Sequence, residues 1–406
     1  MKKVKLAILG FGARGFTYAN IIKSHPEEME LAAVCEINPV KKPFIMQLFG
    51  VREKDYYTDY KEMFKKGKIA DILVVSTMDR DHYEQAMAGL ELGYDLLLEK
   101  PIAAEFDHCL AIRDKANSLG RKVAVCHVLR YAPFYREIKK IIESGKIGKV
   151  ATVSQTEHIG YYHFAHSYVR GNWRREEDSA PMILAKACHD LDIIQWLVGE
   201  KCEALSSFGN LFYFKKENAP EGSAEYCYKC DVPCPYTAIE FYKSHPDWFM
   251  IFSLDPDVEK VLRDERINYG RCVYRSDNNV PDHQVVSMIF ASGATANLTV
   301  TAFSNEIHRS LKIHGSKGEI AGDLEEGRFA VKVYGEGEET VDIKARETDL
   351  SGHAGGDVRM VLDFVRNVRS GEPLSGLTDI NNSIESHRMA FAAESSRKAG
   401  GELVKL

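Results

Sequence analysis

The segment Val4–Leu9 is apolar except at Lys5, the pattern of a strand buried on both faces. From there the chain alternates two periods. A helical pattern runs from Ala13 to Ser24, a strand over Glu30–Cys35, and a helix from about Pro39 to Phe49. Strands follow at Asp71–Ser76, Asp95–Leu98 and Lys122–Cys126, with helices over Asp81–Leu92 and Ala104–Leu119 between them. Strands alternating with helices predict a parallel, doubly wound sheet. After Arg130 the pattern changes. A helix spans Pro133–Ser144, an alternating strand Lys149–His158, and a helix Pro181–Leu197. Strands at 203–214, 284–291, 294–303, 308–314, 318–323 and 329–334 then follow with Gly-containing turns, which predicts a large, mostly antiparallel, open-faced sheet. Helices near 355–370 and 379–399 close the chain, and 215–280 interrupts the sheet pattern as an insertion.

The expected fold class is therefore α/β, an N-terminal Rossmann domain over 1–126 and a C-terminal α+β domain over 127–406. A length of 406 residues agrees with two cores. With 45% hydrophobic and 28% charged residues the composition is that of a soluble globular protein, and a net charge of −6 gives no pull toward nucleic acid or anionic membrane. Met1-Lys2-Lys3 runs straight into the first strand, too short an apolar run for a signal peptide, and no long apolar segment follows. A cytoplasmic address and reduced thiols are the expectation.

Gly10-Phe11-Gly12-Ala13-Arg14-Gly15 is a GxGxxG run placed after a buried strand and opening a helix. Gly10 permits the tight turn, Gly12 lets a pyrophosphate approach the backbone, and Gly15 lets helix and sheet pack closely, with the helix N-terminus facing the phosphates. Glu36 ends the second strand, 21 residues after Gly15. A carboxylate there accepts bonds from the adenosine ribose and repels a 2′-phosphate, which favours NAD over NADP, while Lys41 and Lys42 nearby keep NADP open.

Glu99-Lys100-Pro101 follows the short strand ending at Leu98. Together with His82, Arg130-Tyr131-x-Pro133, Gly145-Lys146-Ile147-Gly148 and His189-Asp190-Leu191-Asp192, it resembles the glucose–fructose oxidoreductase/inositol dehydrogenase (Gfo/Idh/MocA) family over nearly the whole chain. The resemblance implies an NAD-dependent oxidoreductase acting on a hydroxyl of a sugar, sugar derivative or polyol. It implies cofactor contacts from Gly10, Phe11, Gly12, Ala13, Arg14, Gly15, Glu36, Thr77, His82, Glu99, Lys100 and Arg130, and in some members a cis bond before the proline of the triplet. It places Lys100 beside the reacting carbon, where an ammonium near a cationic nicotinamide more readily gives up its proton and can assist the leaving hydride. His189 can exchange a proton with a substrate hydroxyl. Lys186, His189 and Asp192, spaced i, i+3, i+6, fan over one side of the expected helix, and Lys186 joins Lys100 and His189 as a catalytic candidate. Asp192, Tyr162, His163, Trp173 and Arg174 suit a polyhydroxylated ring, because aromatic faces stack and polar edges bond to hydroxyls. His353, in a Gly-rich loop, is a weaker candidate.

The chain also departs from the family pattern. Ala185 stands where dehydrogenases often carry an aspartate four residues before the histidine, Lys186 comes one residue later, and Thr77-Met78 replaces the usual Thr-Pro. Ala185, Lys186 and the aromatic loop leave open an NAD-recycling glycosidase that oxidises a sugar transiently, eliminates the aglycone and returns the hydride; a cofactor-sensing regulator without turnover is the second alternative, against which the intact Lys100 and His189 argue. The resemblance and the alternating strands near 284–314 lead to the expectation of a homo-oligomer, dimer or tetramer. Finally, Cys227-x2-Cys230-x3-Cys234 lies in the insertion, with Cys272 further on. Four thiolates can hold a structural zinc tetrahedrally; free thiols and a disulfide are the alternatives.

Overall fold

A computed structural model describes residues 2–372 and 377–406. The chain forms two compact units, Met1–Arg136 with Glu347–His387, and Glu137–Arg346 with Arg388–Leu406. The first contains β1 (Val4–Leu9), α1 (Ala13–Ser24), β2 (Met29–Cys35), α2 (Lys42–Phe49), β3 (Tyr56–Tyr57), α3 (Tyr60–Phe64), β4 (Ile72–Val75), α4 (His82–Glu91), β5 (Asp95–Leu98), α5 (Phe106–Ser118) and β6 (Val123–Val125). The strands pair in the order β3-β2-β1-β4-β5-β6, and every pairing is parallel. This is the doubly wound arrangement that the sequence pattern predicts, with the order reversing between β1 and β4, where open α/β sheets bind ligands. The two-residue β3 carries no periodicity and has no signal in the sequence.

A return segment completes this unit. Residues Met360, Val361, Phe364 and Val365 join Ile8, Ile72, Val74 and Cys126 in one apolar core. Polar ties fix the same segment, from the Tyr131 hydroxyl to Asp363 at 2.7 Å and from Lys122 Nζ to the Asn367 carbonyl at 2.7 Å. A domain division at residue 126 follows the contiguous strand–helix pattern, whereas the compact unit also takes in 347–387.

α6 (Pro133–Glu143) leads out of the first unit. The second contains β7 (Val150–His158), α7 (Tyr161–Phe164) with a wider helical turn at Ala165–Arg170, α8 (Met182–Ala185), α9 (Cys188–Val198), β8 (Cys202–Asn210), α10 (Ala238–Ser244), α11 (Pro246–Met250), α12 (Val258–Leu262), β9 (His283–Phe290), β10 (Thr295–Thr301), β11 (His308–Gly315), β12 (Gly318–Asp323), β13 (Arg328–Val333) and β14 (Glu338–Asp342). α13 (Gly352–Ser370) belongs to the first unit, α14 (Ile380–Lys398) ends in the second, and β15 (Val404–Lys405) closes the chain. The nine strands run β14-β13-β12-β11-β7-β10-β9-β8-β15, antiparallel except for the central β7–β10 pair. Buried and exposed positions alternate along β9, so one face is covered and the other open. On the open side Phe208 and Val285 stand directly opposite each other and are 56% and 41% exposed.

Two expected elements change. The strand expected over 203–214 stops at Asn210, because the Asp282 carboxylate captures the amides of Phe212 and Tyr213 at 3.0 and 2.7 Å and takes them out of the ladder. The helix expected over Pro181–Leu197 is broken into α8 and α9 at Lys186 and Ala187. Among the described residues no helix is long and apolar enough to cross a membrane.

Candidate functional site

The β1–α1 turn is built by close approach. Gly10 has φ of +81°, and a Cβ on it would stand 2.5 Å from the Ser76 carbonyl oxygen. A Cβ on Gly15 would lie 2.1 Å from the Gly10 carbonyl oxygen, so helix and strand pack as tightly as a glycine allows. Gly12, the residue preceding α1, has nothing within 4 Å of its Cβ position. Open space at a helix N-terminus is what a pyrophosphate needs. Ala13 opens α1. The Glu36 carboxylate accepts from the amides of Phe11 at 2.7 Å and Asn38 at 2.8 Å, with Lys41 Nζ 3.8 Å away. The side chain expected to face the ribose is thus fixed at the tip of β2 beside the glycine turn. These residues fit a dinucleotide.

Arg14 does something the motif does not announce. Its guanidinium is committed to Glu99 at 2.5 Å, to the Tyr18 hydroxyl at 2.7 Å and to Asp357 at 2.6 Å. It therefore ties the nucleotide turn to the residue before Lys100 and to α13. Burial alone would raise the Glu99 carboxyl; Arg14, Lys100 and Tyr18 outweigh it and hold the group below the usual range. Asp357 is held low in the same way by Arg14 and by His353, whose Nδ1 lies 3.0 Å from its carboxylate. His353 sits in a left-handed turn, with φ of +44° and with Ala354 at +52°. The Lys100 amide donates to the Glu99 carboxylate at 3.0 Å, and the Lys100–Pro101 bond is cis. The buried His82 ring meets the Pro101 carbonyl at 2.7 Å and the Thr77 carbonyl at 3.3 Å, so it braces the loop after β5 from α4. The Thr77 hydroxyl donates to Gln85 at 2.7 Å. Arg130 is buried and donates to the Leu377 carbonyl at 3.0 Å.

In the second unit, His189 and Asp192 lie buried one turn apart on α9. Lys186, in the break before α9, does not share that helix; its ammonium reaches Glu157 on β7 at 3.0 Å. Glu157 stands directly across from Arg309 of β11 and pairs with it at 2.6 Å. The same guanidinium reaches Asp190 at 3.1 Å, which also accepts from Gln155 at 2.6 Å. Burial would raise Glu157, but Arg309 and Lys186 keep it ionised below the usual carboxylate range. Burial, opposed by Arg309 and reinforced by Glu157, pushes Asp190 up to about 6. The tertiary pairing of Lys186 with Glu157 overrides the continuous helical pattern.

Tyr162 and His163 face the insertion, their rings 6.0 and 4.9 Å from Trp248. Burial, with Lys186 next, holds His163 well below the ordinary histidine range, and its Nδ1 is sealed without a hydrogen-bond partner. Trp173 lies 6.4 Å from Tyr168, and the Arg174 guanidinium is committed to Asp277 at 2.8 Å. Cys227, Cys230, Cys234 and Cys272 are free thiols that line one cavity of about 30 Å³. No three of their sulfurs lie within 4.8 Å of one another, whereas the zinc tetrahedron expected from the spacing needs about 3.8 Å between sulfurs; that closed geometry is not formed.

Residues 4–127 match the model of an oxidoreductase family with an NAD-binding Rossmann fold, and 139–406 match the model of the same family's C-terminal alpha/beta domain. The chain belongs to the Gfo/Idh/MocA oxidoreductase family. Among its relatives is the putative oxidoreductase YteT of Bacillus subtilis, 25% identical over 325 residues, or 75% of this chain and 74% of YteT. An inositol 2-dehydrogenase/D-chiro-inositol 3-dehydrogenase of Lactiplantibacillus plantarum is 29% identical over 197 residues, 48% of this chain and 53% of that enzyme, so the match spans about half of its length. Two solved structures share the fold: a levoglucosan dehydrogenase in complex with NADH and L-sorbose (TM-score 0.74, 18% identity, 100% of this chain and 99% of that one), and the WlbA dehydrogenase of Bordetella pertussis in complex with NADH and UDP-GlcNAcA (TM-score 0.68, 18% identity, 100% and 99%).

This Gfo/Idh/MocA chain carries polar residues that sequence reasoning missed: Glu157, Arg309 and Asp190 around Lys186, and Tyr18 and Asp357 around Arg14. Glu157 lies in a segment rich in hydrogen-bonding residues, but only strand register pairs it with Arg309, 152 positions on. Removing the Glu157 charge takes the carboxylate partner from Lys186 and leaves Arg309 with Asp190 and Glu325, in a buried site. Glu157→Gln is expected to lower unfolding free energy by about 3 kcal/mol, with a matching fall in Tm. Urea denaturation monitored by fluorescence checks this, and a change below about 0.5 kcal/mol contradicts it.

Proposed function

We propose that this chain is an NAD-dependent dehydrogenase that moves a hydride between nicotinamide and a hydroxyl-bearing carbon of a sugar, sugar derivative or polyol. The observation that carries the reading is the nucleotide turn, open at Gly12, closed at Gly15 and flanked by the fixed Glu36 carboxylate. Bound NAD supplies the hydride acceptor. Amides at the start of α1 hold the pyrophosphate, and Glu36 accepts the ribose hydroxyls. Lys100 Nζ bonds the substrate hydroxyl and helps take its proton, and His189 exchanges a proton with a substrate hydroxyl. Lys186, placed by its ion pair with Glu157, acts on a substrate hydroxyl beside them, while Asp192, Tyr162, His163, Trp173 and Arg174 shape the sugar site.

The carboxylate missing at Ala185 favours a second reading, an NAD-recycling glycosidase. Purified protein incubated with NAD and a panel of sugars, polyols and nitrophenyl glycosides separates the two. Net NADH marks the dehydrogenase; nitrophenol release without net NADH marks the glycosidase. On the active substrate, Lys100→Met should lower turnover by roughly a hundredfold while NAD affinity changes little. Retained turnover removes Lys100 from the mechanism.

The Glu36 carboxylate excludes a 2′-phosphate, so NAD(H) should bind more tightly than NADP(H) in calorimetric titrations. Equal or reversed affinities would implicate Lys41, which stands within 4 Å of Glu36.

The open sheet face, with Phe208, Val285 and Ile289 exposed, supports a homo-oligomer, dimer or tetramer. Light scattering at micromolar concentration should give a mass of at least two chains, and a monomer refutes this assembly.

A further inference from the structure

The insertion is poorly equipped to hold itself. Its helices α10, α11 and α12 have seven, five and five residues, and its own apolar core has four buried members, Ala238, Tyr242, Phe249 and Leu262, with half-buried residues including Trp248, Phe252, Tyr269 and Cys227 packed around them. Helices this short do not persist by propensity, and small cores of this kind usually carry a staple.

The four cysteines sit where a staple would act. Cys227 opens a short turn, with the Cys230 amide donating to its carbonyl at 3.2 Å. The distant Cys272 is brought beside it by backbone pairing: Tyr226 and Arg271 form an antiparallel bridge, and the Cys272 amide donates to the Glu225 carbonyl at 2.9 Å. Backbone amides also point at sulfur, from Ala224 to Cys230 at 3.5 Å and from Tyr236 to Cys234 at 3.4 Å. Such N–H···S contacts favour thiolate over thiol and orient metal-bound sulfur.

An independent observation concerns Arg170. It is buried, 3% exposed, and lines the same cavity. Its guanidinium donates to the Arg271 carbonyl at 2.7 Å, to the Tyr236 carbonyl at 2.6 Å and to Cys227 Sγ at 3.6 Å. Among the described residues no carboxylate pairs with it. A buried cation facing sulfur and lacking a counter-anion is costly unless anionic charge stands beside it. Thiolates bound to a cation would provide that charge in the cavity that Arg170 lines.

We propose that Cys227, Cys230, Cys234 and Cys272 hold a single thiophilic divalent cation, of which zinc is the probe, in a closed structural site that staples the insertion. Four S–H protons leave to solvent, four metal–sulfur bonds form, and no sulfur changes oxidation level. The product carries a net charge of −2, which the Arg170 guanidinium faces. The sulfurs converge on the ion as it binds: a cysteine sulfur moves by roughly 3 Å between staggered rotamers, and thiolate sites commonly form only with their metal. With four protein ligands no position remains for substrate, so the site is structural and independent of the oxidoreductase reading.

The test uses the full chain purified without chelator. Elemental analysis should give about one zinc per chain, or stripped protein should take up one equivalent of added zinc. Four thiols should become open to iodoacetamide only after chelation, as counted by mass spectrometry. Chelation should speed proteolysis within 215–280 at least tenfold. Cys272→Ser should lose the metal while NAD binding is retained; should that variant fail to fold, the alkylation count on the unaltered chain decides. Metal-free protein that refuses added zinc while keeping a protease-resistant insertion overturns the proposal, as does a disulfide within the set.

Discussion

A buried carboxylate must find its counter-charge wherever the chain can bring it, and that constraint organises both units. In the first, that counter-charge is Arg14. It takes Glu99 from the end of β5 and Asp357 from α13, 343 positions away, and so locks the nucleotide turn, the loop bearing Lys100 and the returning helix into one arrangement. In the second, Arg309 does the same for β7, β11 and the start of α9 through Glu157 and Asp190. Such pairs contribute less by their attraction than by what their loss leaves behind, a charge with no water and no partner.

This arrangement bears on chemistry. Lys186 occupies a place where a family pattern leads one to look for acid–base function, yet its ammonium is anchored to a carboxylate that two cations keep ionised. That ion pair fixes the position of the ammonium. The neighbourhood of Ala185 thus holds a carboxylate brought in from the sheet, at Glu157, beside Lys186.

The insertion follows a different logic. It borrows order from its surroundings through aromatic contacts between Trp248 and the Tyr162–His163 segment, and it closes on itself through the pairing of 225–226 with 271–272. Segments with few buried apolar contacts need such external ties to stay folded.

The sequence by itself determined the alternation of strand and helix, the glycine turn with its carboxylate at Glu36, and the half-buried strands of the second sheet. Each is a local matter: period, turn conformation and close approach are set by residues within one element or two neighbouring ones. The tertiary structure alone decided that Arg14 faces carboxylates as well as closing the turn, that Lys186 leaves its helix for Glu157, that Asp282 ends β8 at Asn210, and that 347–387 completes the first core. It also brought Cys272 to the other three cysteines. In every one of these the partner is distant in sequence and the driving force is the pairing of a buried polar group or the covering of an apolar face. Such forces act between elements once they are packed, and no periodicity along the chain records them.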